Sequence, residues 1–380
     1  MKKLLVFMLV AVMVFSLAAC GGDSGKKSDA VFKVGATGPL TGEAAIYGVA
    51  VKYGAEIAVE EVNALGGVQF EFRMEDDTHD TEKADNAYNA LKDWGMDFMM
   101  GSVTSSPAEV TAANAFKDRC FYLTPSASSP NVVEGKDNIF QMCFTDPNQG
   151  SSAAQFIKDN FPGKKMAVIW KNDDSYSTVI RDKFVSESKA LGLEVVEDQT
   201  FTDATSTDFS VQIAKCQEAG AELVFLPMYY TPASLIFNQA KAVGYAPTWF
   251  GVDGMDGILT LEGFDTSLAE GVVVLTPYYA DDTSDLNQNF VKKYEAKAGA
   301  TPNQFAADAY DCIYALHKAA TAAKLNPDMK MDEICDALVA QFTSMSFDGL
   351  TGKEMKWATD GTVSKKPNAV VIKDGKYTGL

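Results

Sequence analysis

Two loops rich in hydroxyl groups carry the most specific chemistry in the chain. Residues 101–106 read Gly-Ser-Val-Thr-Ser-Ser and residues 124–129 read Thr-Pro-Ser-Ala-Ser-Ser, each following a short apolar run, 98–100 and 120–123. An Ala-rich stretch with helical spacing lies between them. The block 97–130 therefore reads as strand, loop, helix, strand, the βαβ unit of a parallel sheet. Ser106 is placed as an N-cap, Pro107 takes the first helical position, and Glu109 completes a capping box. Unpaired N–H groups at a helix start, joined by hydroxyls, suit a small anion such as a carboxylate. Ser-rich turns also occur without any ligand. Two in succession, on the edge where open α/β sheets bind ligands, favour a binding site.

Other chemistry has little material. The chain holds no GxSxG, HExxH, GK[ST] loop or Cys-x-x-Cys, and its two histidines, His79 and His317, are too few for a catalytic dyad or triad. Glu75, Asp76, Asp77, Asp80 and His79 form an acidic run, but Asp76-Asp77 closes a strand, so neither a metal site nor a cofactor is expected. Ser105 or Ser106 as a nucleophile would need a base that nothing indicates. An enzyme is not expected.

At 380 residues, 47% hydrophobic and 22% charged, the chain suits two lobes rather than one core. Lys2 and Lys3 precede the apolar run 4–15, and Leu17-Ala18-Ala19-Cys20-Gly21 follows. This reads as a signal peptide over 1–19 with a lipobox, implying cleavage before Cys20, a lipid on its thiol, and anchoring to the outer face of a membrane through a flexible tether over 20–30. Losing residues 1–19 removes two lysines and no acid, so the net charge of −18 becomes −20. That balance excludes nucleic acid and anionic lipid headgroups as partners. Cys120, Cys143, Cys216, Cys312 and Cys335 are scattered, without metal-ligand spacing; they read as mostly buried thiols with at most one or two disulfides.

Strands and helices alternate twice. Strands are expected at 31–41, 68–75, 98–100, 120–123 and 139–144, with helices at 45–65 and 81–94 and a hinge at 145–148. The second run has strands at 166–170, 193–198, 223–226, 248–251 and 271–276, and helices at 175–191, 209–219 and from Thr231-Pro232 to 243. Three helical stretches follow, 286–298, 303–324 and 332–342, then a strand at 369–373 and a turn at Asp374-Gly375. The pattern predicts an α/β protein of two doubly wound, Rossmann-like lobes.

The mature chain resembles a type I periplasmic binding protein, of the leucine/isoleucine/valine-binding family that serves amino-acid ABC transporters. The likeness rests on Gly38-Pro39-Leu40-Thr41-Gly42 with Tyr47-Gly48, Glu61 to Gly67, Asp76-Asp77, Gly101 with Thr104-Ser105-Ser106, Thr124 to Ser128, Asp173 to Tyr176, and Gln239 to Tyr245. It implies two lobes joined by three hinge crossovers, 31–146 with 277–356 and 147–276 with 357–380, closing on a ligand. The ligand carboxylate would be held by Ser105 and by the Ser126-Ala127-Ser128 loop. An aromatic wall would come from Tyr176, from Tyr229 or Tyr230, and from Tyr47 and Phe305. Asp253 would take the ligand ammonium, although Asp before Gly also suits an Asx turn. Aspartate stands here where the branched-chain proteins have glutamate, Thr104 replaces a disulfide cysteine, and Pro227-Met228 replaces a glycine pair, which leaves the preferred side chain open. The implied partners are an amino acid or close analogue and an ABC permease; the alternative is a sensing module for amino acids, amides or small carboxylates that signals to a membrane receptor.

Overall fold

The structure, a computed structural model, describes residues 30–380. The expectations for the signal peptide, Cys20 and most of the tether lie outside those residues. No described helix is long and apolar enough to cross a membrane.

Five parallel strands form the first sheet: β1 (Ala30–Gly38), β2 (Val68–Asp76), β3 (Phe98–Met99), β4 (Tyr122–Thr124) and β5 (Ile139–Gln141), in the order β2-β1-β3-β4-β5. The second sheet holds β6 (Met166–Lys171), β7 (Val195–Phe201), β8 (Leu223–Leu226), β9 (Thr248–Gly251), β10 (Val273–Thr276), β11 (Asn368–Lys373) and β12 (Lys376–Gly379), in the order β12-β11-β10-β9-β8-β6-β7. Without its antiparallel hairpin β11-β12, the second sheet repeats the strand order of the first. Central strands such as Leu223–Leu226 are buried on both faces, so they read as unbroken apolar runs. Each sheet reverses its winding beside its first strand, and the loops at the carboxyl ends there face a shared crevice.

The late helices return to the first sheet. Helix Gln304–Ala323 packs on helix Ala45–Ala64 so closely that a Cβ on Gly54 would lie 2.1 Å from the Ala306 carbonyl oxygen. Trp357 Nε1 donates to the Gln141 carbonyl at 2.8 Å and Gln141 N donates to the Gly361 carbonyl at 2.9 Å, which holds 357–363 against β5. The Lys365 ammonium, buried on Asp308 at 2.6 Å, secures the chain just before β11.

The acidic run is turn chemistry. Asp76 accepts from Leu40 N, Thr41 Oγ1 and Thr78 N, and Asp77 accepts from His79 N, with Thr78 and His79 at positive φ. Among the described residues no three His, Cys, Asp or Glu side chains gather closely enough to hold a metal ion. The five cysteines from Cys120 to Cys335 are buried free thiols.

Candidate functional site

The first-lobe rim is built at the ends of β3 and β4. The helix after β3 runs from Ser105 to Asp118, so Thr104 rather than Ser106 takes the N-cap position and Ser105 rather than Pro107 opens the helix. Its first-turn N–H groups have no acceptor within the helix. Ser105 is buried, and its hydroxyl accepts from Ser129 N at 3.3 Å, leaving the hydroxyl proton free to donate. Glu109 does not close the expected capping box. Its carboxylate takes the hydroxyls of Ser129 at 2.9 Å and of Ser175, from the second lobe, at 2.6 Å. Ser126 donates to the Val103 carbonyl at 2.6 Å, and Ala127 N to Thr124 Oγ1 at 2.9 Å. Of the second loop only Ser126 lines the gap; Ala127 and Ser128 lie behind it, the Ser128 hydroxyl facing the buried Asp146 carboxyl.

The second-lobe rim is aromatic and acidic. Tyr176 stands in the first turn of helix Ser175–Leu191, and its ring stacks on Tyr229 at 4.8 Å with an interplanar angle of 7°. Tyr229 is the tyrosine that faces the gap. Tyr230 begins the next helix, and its hydroxyl accepts from Ile46 N at 3.2 Å behind Tyr47. Asp253 opens a single 3₁₀ turn after β9, and its N–H donates to Gln149 Oε1 at 3.1 Å. The Tyr176 hydroxyl donates to Asp253 Oδ1 and accepts from Gly254 N at 2.9 Å. Only glycine fits after Asp253, because a Cβ on Gly254 would stand 2.7 Å from that hydroxyl.

Across the gap Tyr47 and Phe305 meet at 4.4 Å between ring centroids. The expected residues Tyr47, Ser105, Ser126, Tyr176, Tyr229, Asp253 and Phe305, with Val103, Thr104 and Gly254, surround a space of about 10 Å³, room for about one water. The lobes are closed on one another. Tyr47 Oη donates to the Gly254 carbonyl, Thr231 Oγ1 to the Glu43 carbonyl at 2.8 Å, and Gln304 Nε2 to the Asp253 carbonyl at 2.9 Å. The sequence reading missed Gln149, Gln304 and Gly254. The two glutamines hold the Asp253 backbone with their side-chain amides and Gly254 acts by lacking a side chain, which no spacing announces.

Burial dominates the electrostatics. The Asp253 carboxyl is pushed up to about 7 by desolvation, against the Tyr176 hydroxyl and Gln149, which favour its ionised form. Burial shifts the Asp146 carboxyl in the same direction. At the cleft edge His79 faces Asp174, the first held down and the second held up by burial. The arrangement thus offers N–H and O–H donors from one lobe and an acid from the other, 148 positions later in the chain than Ser105.

The model of the periplasmic binding protein family matches residues 31–376. The chain belongs to this family. It is a type I solute-binding protein of the leucine/isoleucine/valine-binding branch, not an enzyme. A Leu/Ile/Val-binding protein homolog of Brucella melitensis is 30% identical over 58% of this chain and 61% of its own length. A leucine-, isoleucine-, valine-, threonine- and alanine-binding protein of Pseudomonas aeruginosa is 27% identical over 80% of this chain and 81% of its own. Among solved structures, the branched-chain amino acid transporter substrate-binding protein LivJ of Streptococcus pneumoniae, in complex with isoleucine, superposes with a TM-score of 0.82 at 26% identity, covering 92% of this chain and 99% of that one.

Proposed function

We propose that the chain is an extracytoplasmic lipoprotein, held by a lipid on Cys20, that captures an amino acid between its lobes and delivers it to an ABC permease. The observation that carries this reading is the pairing of Asp253 on one lobe with the Ser105 helix start on the other. A zwitterion needs donors at its carboxylate and an acid at its ammonium, and only a ligand that reaches both bridges the lobes. The first lobe comprises 31–146 with 277–363, and the second 147–276 with the remainder. Because the closed gap has room for about one water, loading proceeds by parting the lobes and closing them again around the ligand. The ligands of the Pseudomonas and Streptococcus relatives support an aliphatic or small polar amino acid.

A thermal-shift screen of the mature protein against the amino acids tests this. A ligand at about 100 times its Kd adds roughly 2.7 kcal/mol of stability. At least one amino acid should raise Tm, and Asp253→Ala should abolish the rise; an equal rise in the variant would refute the assignment of the ammonium to Asp253.

A further inference from the structure

Two helices start where the lobes meet: Ala45–Ala64, after β1, and Tyr230–Ala242, after β8. Neither receives a side-chain cap from its own N-cap residue, Ala44 or Tyr229. A helix start leaves its first N–H groups without acceptors inside the helix. In the first of these helices Ala45 N and Tyr47 N turn back onto the Gly42 and Ala44 carbonyls, at 3.2 and 3.1 Å. Ile46 N, between them, donates instead to the Tyr230 hydroxyl at 3.2 Å, on the other lobe. The exchange is returned, for Tyr230 N donates to the Tyr47 hydroxyl at 3.3 Å. Each tyrosine thus stands in the first turn of one helix and caps the first turn of the other.

The surroundings favour this exchange. Tyr47 and Tyr230 are 1% and 2% exposed, and their rings meet edge-on at 4.9 Å between centroids. Hydrogen bonds shielded from water in this way are the stronger ones. The proton of the Tyr47 hydroxyl goes to the Gly254 carbonyl, so one first-lobe side chain ties a second-lobe helix start to the turn that presents Asp253. Beside it Ile46 leans on Gly257 of the second lobe, where a Cβ would lie 2.7 Å from Ile46 Cγ2. Tyr47 also walls the gap, whereas Tyr230 stands behind it.

We propose that Tyr47 and Tyr230 form a reciprocal latch between the lobes, each capping the other's helix, and that Tyr230 is a positioning residue that seats the Tyr47 wall of the gap. The bonds run from chain to chain, so they favour the closed form whatever ligand the gap holds. Each cap needs the lobes in contact, so the two are made and broken together. A ligand then adds its contacts to a closure that the chain already favours.

Hydrogen exchange read by mass spectrometry, on mature protein freed of amino acid by unfolding and refolding, tests the latch. Tyr230→Phe removes the acceptor of Ile46 N and leaves that of Tyr230 N in place; Tyr47→Phe does the converse. Each variant should exchange about fivefold faster at both helix starts, the effect of one helix cap on the balance of closed and open forms. Faster exchange confined to the start that lost its own acceptor would reveal two separate local caps and overturn the latch. Unchanged exchange at both starts would overturn it as well. Should one variant fail to fold, the other decides; should both fail, Thr231→Val, which removes the neighbouring bond to the Glu43 carbonyl, takes their place under the same two-sided criterion.

Discussion

The Tyr176 hydroxyl lies 2.5 Å from Asp253 Oδ1, and both residues are buried at the meeting of the two lobes. Asp253 is thereby held by its own lobe before any ligand arrives, and its carboxyl still sits at about 7 because desolvation outweighs that bond. Ammonium capture requires the ionised form. Affinity for a zwitterion should therefore fall as pH drops below about 7, by up to about tenfold per unit. Tyr176→Phe removes a hydrogen bond to the carboxylate and should move the midpoint to higher pH. Calorimetric titrations between pH 5.5 and 8.5 measure both effects; an affinity flat across that range would contradict the role given to Asp253.

The same raised carboxyl bears on stability. Between its ordinary value near 4 and its folded value of about 7, the folded chain keeps a proton that the unfolded chain has released. Its contribution to stability is full at low pH and is lost as pH rises toward 7, with an upper limit of about 4 kcal/mol. Asp253→Asn should therefore gain on wild type as pH rises from 5 to 8, in urea denaturation without ligand. His79 and His317, held down by burial, act in the opposite direction but are common to both proteins and cancel in the comparison. A difference that stays flat with pH would show the carboxyl to be ionised throughout.

Ser175 donates across the lobes to Glu109 at 2.6 Å. The bond exists only when the lobes are closed, so Ser175→Ala should speed ligand release by roughly tenfold, the effect of one charge-assisted hydrogen bond, with little change in the rate of capture. Stopped-flow fluorescence separates the two rates. Slower capture with unchanged release would place the effect elsewhere.

Gly54→Ala sets two effects against each other. Alanine in a helix interior gains about 1 kcal/mol over glycine, but the added methyl would sit 2.1 Å from the Ala306 carbonyl oxygen. Forcing helices Ala45–Ala64 and Gln304–Ala323 apart costs about 1–3 kcal/mol, so the urea midpoint should fall. A raised midpoint would mean that the helices separate freely.

The two-lobed fold was legible because each buried strand, such as Phe98–Met99 or Leu223–Leu226, carries its apolar run locally. What escaped depends on distant partners. Ser106 and Glu109 have the spacing of a capping box, yet Glu109 finds hydroxyls on another loop and another lobe, and the helix begins two residues early at Ser105. Tyr229 and Tyr230 are adjacent, and only the path of the chain after β8 decides which of them meets Tyr176. Trp357 gave no local sign that it would follow β5, since its partner is a carbonyl 216 positions away. The hairpin strand β12 was not expected, only the Asp374-Gly375 turn before it, because the strand is short and mostly exposed.

A crystal structure of the mature protein with the amino acid that stabilises it most tests the central claim directly. The account predicts ligand density between the lobes, its carboxylate within hydrogen-bond distance of the Ser105 hydroxyl and the first-turn N–H groups, its ammonium on Asp253, and Tyr176 and Tyr229 against its side chain. Density lying outside that gap, or a ligand bound there with its ammonium away from Asp253, would contradict it.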